Sequence, residues 1–190
     1  ATPRRLAAPS APFTPIDGHQ DIYNAYHDLF AVWGVAFEDR TSTPCQLALD
    51  IGLGCLKERV DAAQIRSFNR PVIVMFDGTF VTLSQIQGNL VTLIAGDRQF
   101  NVSTSEFNQR FDGLIHMFWR MPPAYLKPMV VSDQGAAVDW LVLQLSMIAG
   151  DSPPLQNGFV YDELMKSQVK AFQVTVGLEP SGVVDPITWI

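Results

Sequence analysis

Between Asp21 and Gly34, Ile22, Tyr26, Leu29, Phe30 and Trp33 recur at helical spacing. Asp21 suits the start of a helix and Gly34 its end, so this stretch predicts an amphipathic helix. A polar loop follows from Glu38 to Pro44. A short helix is expected around Cys45, with Leu47, Leu49 and Ile51 apolar and Gly52 and Gly54 breaking it. Asp61 to Phe68 predicts another short helix capped by Asp61. The period then changes. Val72 to Phe76 is a continuous apolar run, and Asp77-Gly78 is a strong hairpin signal. Strands are expected at Thr79–Gln85, Leu90–Ala95 and Phe100–Val102, separated by the turn pairs Gly88-Asn89 and Gly96-Asp97. Ser103 to Arg110 predicts a helix, with Ser103 and Glu106 at capping-box spacing. Gly113 to Trp119 closes this half as a last strand. Helices first and an antiparallel meander after them make an α+β domain.

Met121-Pro122-Pro123 and Pro128 mark a boundary, beyond which the pattern is helical again. Val138, Leu141, Val142, Leu145 and Ile148 form one helix face that Gly150 ends. Met165, Val169, Phe172 and Val176 form the next, stopped by Gly177. Asp185-Pro186 starts a third helix, with Asp as cap and Pro at the first helical position. At the other end, Pro3, Pro9, Pro12 and Pro15 among small residues predict an extended, mobile linker. The expected division is therefore a linker over 1–20, an α+β domain over 21–127 and a helical domain over 128–190.

Composition narrows the function. Hydrophobic residues make up 47% and charged residues 17%, enough apolar material for real cores. A net charge of −6 and the lack of a basic stripe exclude nucleic acid and the anionic face of a membrane as natural partners. No apolar run reaches the roughly 18–20 residues that a bilayer span needs, and no signal-peptide pattern is present. The chain thus reads as a piece of a longer protein. His19, His27 and His116 show no metal-ligand spacing, and no cofactor or metal is expected. Two cysteines, Cys45 and Cys55, are equally compatible with one disulfide in an oxidising compartment and with two buried thiols.

From about Gly135 the chain carries Tyr161-Asp162, Val169, Phe172-Gln173, Gly177-Leu178, Gly182-Val183-Val184 and Pro186-Ile187-Thr188-Trp189. In identity and spacing these resemble the peptidoglycan-binding-domain-1 family, a small three-helix module. Ser181 stands where the family has Asp before its turn glycine, and Asp185 where it has Gly before its proline. Phe172 and Val169 are expected in the core. The resemblance makes Tyr161, Asp162, Gln173 and Trp189 candidates for wall contact, although each also fits a cap, a surface group or a packed aromatic.

The stretch from Asp21 to Pro122 resembles the bacteriocin-processing cysteine peptidases, which have a papain-like fold. Cys45-Gln46-Leu47-Ala48 falls at the nucleophile, Phe80-Val81-Thr82-Leu83 on the base strand, and Leu93-Ile94-Ala95-Gly96-Asp97 at the strand end that orients the base. Ser105-Glu106-Phe107 and Phe111-Asp112-Gly113 match the closing helix and turn. Thr79 occupies the position of the histidine, and Thr cannot exchange a proton near neutral pH. Ala95-Gly96-Asp97 replaces the orienting Asp-Pro. A cysteine without a base forms little thiolate, so Cys45, Thr79 and Ala95 are degenerate positions and no catalytic residue is assigned. Of the histidines, His19 falls in the linker, His27 on a helix face, and His116 on the last strand, facing solvent or bonded locally.

Both halves in this order, together with the run from Cys45 to Gly52-Leu53-Gly54-Cys55-Leu56 and with Asn69-Arg70-Pro71, resemble the periplasmic region of the GspA/ExeA family of type II secretion assembly proteins. That resemblance implies a Cys45–Cys55 disulfide. It also implies a non-enzymatic chain in the periplasm, tethered by an upstream span, with a cytoplasmic ATPase module in the parent protein. The implied partners are peptidoglycan, a GspB-type inner-membrane protein and, directly or indirectly, the secretin. Two other readings stay open: a cysteine peptidase or cell-wall hydrolase with a wall-binding module, and a protein-interaction domain whose wall motif is a relic.

Overall fold

The computed structural model describes residues 12–37 and 42–190. Most of the loop expected at Glu38–Pro44 lies outside them. The chain divides into two compact units at the Trp119–Arg120 bond. That is earlier than the expected boundary at 127/128.

In the first unit the helix α1 (Ile22–Val32) begins where Asp21 Oδ1 accepts from the Tyr23 N–H at 3.0 Å. Its inward face is Ala25, Tyr26, Leu29 and Phe30, all buried. The helix α2 (Pro44–Asp50) is capped by the Thr43 hydroxyl and has Pro44 in its first turn. Gly52, at φ +79°, turns the chain directly into strand β1 (Leu53–Arg59). No strand was expected here. The glycines that read as breakers are a turn and an early strand position, and Lys57, Glu58 and Arg59 are compatible with β1 because it lies at the sheet edge. The helix α3 (Ala62–Phe68) starts with the reciprocal Asp61–Gln64 capping box.

Strands β2 (Val72–Phe76), β3 (Thr79–Gln87), β4 (Leu90–Ala95) and β5 (Arg98–Ser103) form the expected antiparallel meander. Asp77 and Gly78 both have positive φ, +50° and +73°, which closes the two-residue β2–β3 turn. The helix α4 (Thr104–Arg110) is capped by the Ser103 hydroxyl, which accepts from the Glu106 N–H. Strand β6 (Phe111–Arg120) then returns to the far side of β2, giving the order β1-β6-β2-β3-β4-β5. One core cluster joins α1 to the sheet through Leu29, Phe30, Phe37, Ile73 and Phe118.

Residues 1–11 lie outside the described part. From Phe13 onward the segment expected to be a mobile linker is docked. Phe13 is buried with its ring 5.3 and 5.2 Å from those of Phe76 and Phe100. Pro15–Asp17 is a short 3-10 turn, Asp17 pairs with Arg98, and His19 exchanges both backbone hydrogen bonds with Phe80 at 2.9 and 2.8 Å. One large aromatic ring supplies the apolar burial that the proline-rich composition concealed.

The second unit holds α5 (Ala136–Ala149), α6 (Glu163–Thr175) and the short α7 (Pro186–Trp189). Its core is Met129, Val138, Leu141, Tyr161, Met165, Val169 and Val184. Gly150 ends α5 in the left-handed conformation, with the Asp151 N–H bonded back to the Ser146 carbonyl. Two expected core positions are outside: Ile148 is 63% exposed and Val176 is also exposed. Phe172 is only half-buried, and its neighbour Gln173 points inward instead. The helix is rotated this way because Gln173 has hydrogen-bond partners inside. The α+β class, an antiparallel sheet followed by a helical C-terminal unit, is as expected, and the sheet has a sixth strand, β1, beyond the five the pattern predicts.

Candidate functional site

The first unit places the degenerate catalytic positions as follows. Cys45, in the first turn of α2, is disulfide-bonded to Cys55 of β1, with Cα atoms 5.4 Å apart. The Tyr26 hydroxyl lies 3.8 Å from each sulfur and 2.8 Å from His116 Nδ1 on β6. Burial pushes the Tyr26 phenol up to about 12. Burial, with a smaller contribution from the positive Lys57, takes His116 down to about 4. His116 is therefore neutral near pH 7 and locally hydrogen-bonded. A sulfur held in a disulfide has no lone thiolate to offer, whatever base is nearby.

Thr79 is buried at the start of β3, where its hydroxyl donates to the Phe76 carbonyl at 3.0 Å. It braces a turn. Ala95 is buried at the end of β4, and the next N–H, Gly96, donates to Asp28 Oδ2 at 2.7 Å. His19 Nε2 reaches the same Asp28 oxygen at 2.7 Å. His19 thus anchors the docked N-terminal segment, and the buried Asp28 is satisfied twice. Sequence reasoning missed Asp28 and Tyr26 because each lies within an amphipathic helix. Their positions say burial or surface and nothing of a polar partner. Among the described residues no group of three His, Cys, Asp or Glu side chains is placed to hold a metal ion.

The second unit separates the four wall-contact candidates. Tyr161 is fully buried, and its hydroxyl donates to the Gly182 carbonyl at 2.6 Å. Gln173 is 1% exposed. Its Nε2 donates to the Val183 carbonyl at 2.9 Å and Thr188 Oγ1 at 3.0 Å, and its Oε1 accepts from the Gly182 N–H at 2.9 Å. Neither side chain can reach a polymer outside. Both hold the 181–188 loop in place. Gly182 has φ +70°, and a Cβ there would meet Lys166 Cγ at 2.6 Å, so both backbone and space require glycine.

Asp162 is exposed and caps α6, accepting from the Met165 N–H at 2.8 Å. Trp189 is half-buried, and its indole N–H is buried with no acceptor among the described residues. These two residues line different grooves. Asp162 borders one of about 500 Å³, with Asp151, Ile148, Leu164 and Phe159 among its walls. Trp189 borders another of about 350 Å³, with Trp140, Gln144, Arg120 and Thr188. Both volumes are of the size that takes a small ligand or a polymer segment. Arg120, Trp140 and Gln144 were not candidates at the sequence level, because nothing in a helical repeat marks which exposed aromatic faces a groove.

Residues 134–190 match the family model described as "Putative peptidoglycan binding domain". No curated protein sequence matches the chain. Among solved structures it is similar to a periplasmic domain of the EpsAB fusion protein of the Vibrio vulnificus type II secretion system. The TM-score is 0.56 at 16% identity, and the match covers 93% of this chain and 79% of that one. The similarity is one of fold. The chain also resembles, at a TM-score of 0.41 and 12% identity, the peptidase domain of Streptococcus ComA, a bi-functional ABC transporter involved in quorum sensing. That match covers 58% of this chain and 96% of the other.

Proposed function

We propose that this chain is a non-catalytic, peptidoglycan-binding region of a type II secretion protein, placed in the periplasm by a membrane anchor upstream. In this role the helical unit holds the cell wall, and the assembly helps the secretin form together with a GspB-type partner. The observation that carries the reading is the peptidoglycan-binding family match over 134–190. The fold likeness to a secretion-system periplasmic domain supports the context. The disulfide supports an oxidising compartment and withdraws Cys45 from nucleophilic chemistry. Thr79 and Ala95, both occupied with local structure, support the absence of a peptidase mechanism. The upstream anchor, the partner and the domain limits 21–127 and 128–190 belong to this proposal.

The test is incubation of the purified chain with insoluble peptidoglycan, reading protein in the pellet and fragments in the supernatant. An anchor pellets and releases no soluble wall fragments, with or without reductant. Release of fragments, in particular after reduction frees Cys45, would establish a hydrolase instead. For the partner, a purified periplasmic region of a GspB-type protein should co-elute with the chain. Separate elution at micromolar concentrations would remove it.

A further inference from the structure

The two grooves of the second unit differ in chemistry, and only one suits an anionic polysaccharide. The groove bordered by Asp151 and Asp162 has no cation and no tryptophan among the described residues of its walls. The other has Arg120 as its charged wall residue and two tryptophans, Trp140 and Trp189. We propose that this second groove binds the glycan strand of peptidoglycan, and not the stem peptides. The inference rests on the wall-binding reading above and names the part of the wall that is held.

Three features point to a sugar. Trp140 on α5 is 38% exposed, and an indole face packs well against the C–H face of a pyranose ring. Gln144 follows one turn later on the same helix side, and Thr188 stands on the C-terminal segment beside Trp189. Uncharged amide and hydroxyl groups match the hydroxyls and acetamido groups of an N-acetylated disaccharide. The Trp189 indole N–H is buried without an acceptor among the described residues. A buried donor in that state is costly, and an oxygen of a ligand seated against the ring is an acceptor that the described residues do not supply.

Charge supports the same choice. The chain as a whole carries −6, which disfavours a carboxylate-bearing polymer on most of its surface. Arg120 is exposed at this groove. The lactyl carboxyl of muramic acid is attached directly to the sugar ring. A guanidinium beside a ring-stacking tryptophan can meet that group, or the carbonyl it becomes when a stem peptide is attached.

The test uses the full chain and glycan strands freed of stem peptides by an amidase, titrated calorimetrically, with the released stem peptides as competitors. Intact peptidoglycan sedimentation runs beside it. The expected result is binding to the stripped strands, no competition by stem peptides, and about tenfold weaker binding by Trp140→Ala and by Arg120→Gln. Both positions are exposed, so an unchanged melting profile confirms that each variant is folded. Binding to intact wall but not to stripped strands, or unchanged binding by the two folded variants, overturns the glycan assignment alone. No binding to intact wall overturns the wall reading and this inference with it.

Discussion

Gln173→Met separates an internal brace from a ligand contact. Methionine keeps the length and removes every polar atom. In the native unit the amide accepts from the Gly182 N–H at 2.9 Å and donates to the Val183 carbonyl at 2.9 Å, which the Thr188 hydroxyl also reaches at 3.4 Å. Thr188 Oγ1 retains its bond to Asp185 at 2.7 Å, and Ser181 is exposed, so neither is stranded. The buried Gly182 N–H left unpaired costs about 1–3 kcal/mol, while the Val183 carbonyl keeps the Thr188 hydroxyl as a donor. For a unit of this size each kcal/mol moves the melting point by about 4–8 °C. The second unit should therefore melt at least about 4 °C lower, as read by scanning calorimetry of the full chain. Wall binding measured well below that transition should be largely retained. An unchanged melting point with lost wall binding would refute the brace and return Gln173 to the surface as a ligand contact.

Removing the disulfide by Cys45→Ser with Cys55→Ser opens a loop with a sequence separation of 10. The chain-entropy model gives a loss of about 3 kcal/mol, confined to the first unit in urea titrations, and an unchanged midpoint would contradict it. The pH dependence of the first unit follows from His116. Its folded value of about 4 lies below the ordinary histidine value of 6.5, so the unfolded chain binds the proton first. Stability is then fully present above about pH 6.5 and is lost as the pH falls toward 4, by about 2 kcal/mol at pH 5. His116→Gln, which keeps an acceptor for Tyr26, should flatten that part of the profile; an identical profile in the variant would dismiss His116 as its source. Asp28→Asn should loosen the N-terminal segment, because its Oδ2 takes both the His19 ring and the Gly96 N–H. Faster proteolysis before His19 is the expected readout, and no change would count against the clasp.

Much of the fold was legible because its signals are local. The Asp21, Asp61, Ser103 and Asp185 caps and the Asp77-Gly78 turn each act within a few residues, and each sits where the pattern placed it. What escaped was non-local. The strand β1 carries a charged end that only an edge position explains, and β6 crosses back to lie between β1 and β2. Phe13 becomes core only because Phe76 and Phe100 are brought to it from the sheet. The candidate wall contacts were chosen as polar or aromatic residues in a motif, and motif membership does not say which way a side chain points. Tyr161 and Gln173 point inward to hold the 181–188 loop, while Trp189 and Asp162 reach the two grooves.

The central claim, that the helical unit is the wall anchor, is tested most directly by sedimentation with insoluble peptidoglycan. The full chain would be run beside one ending at Trp119, over a range of wall concentrations. The account predicts saturable pelleting of the full chain and none of the shortened one. Equal pelleting of both, or of neither, would contradict it.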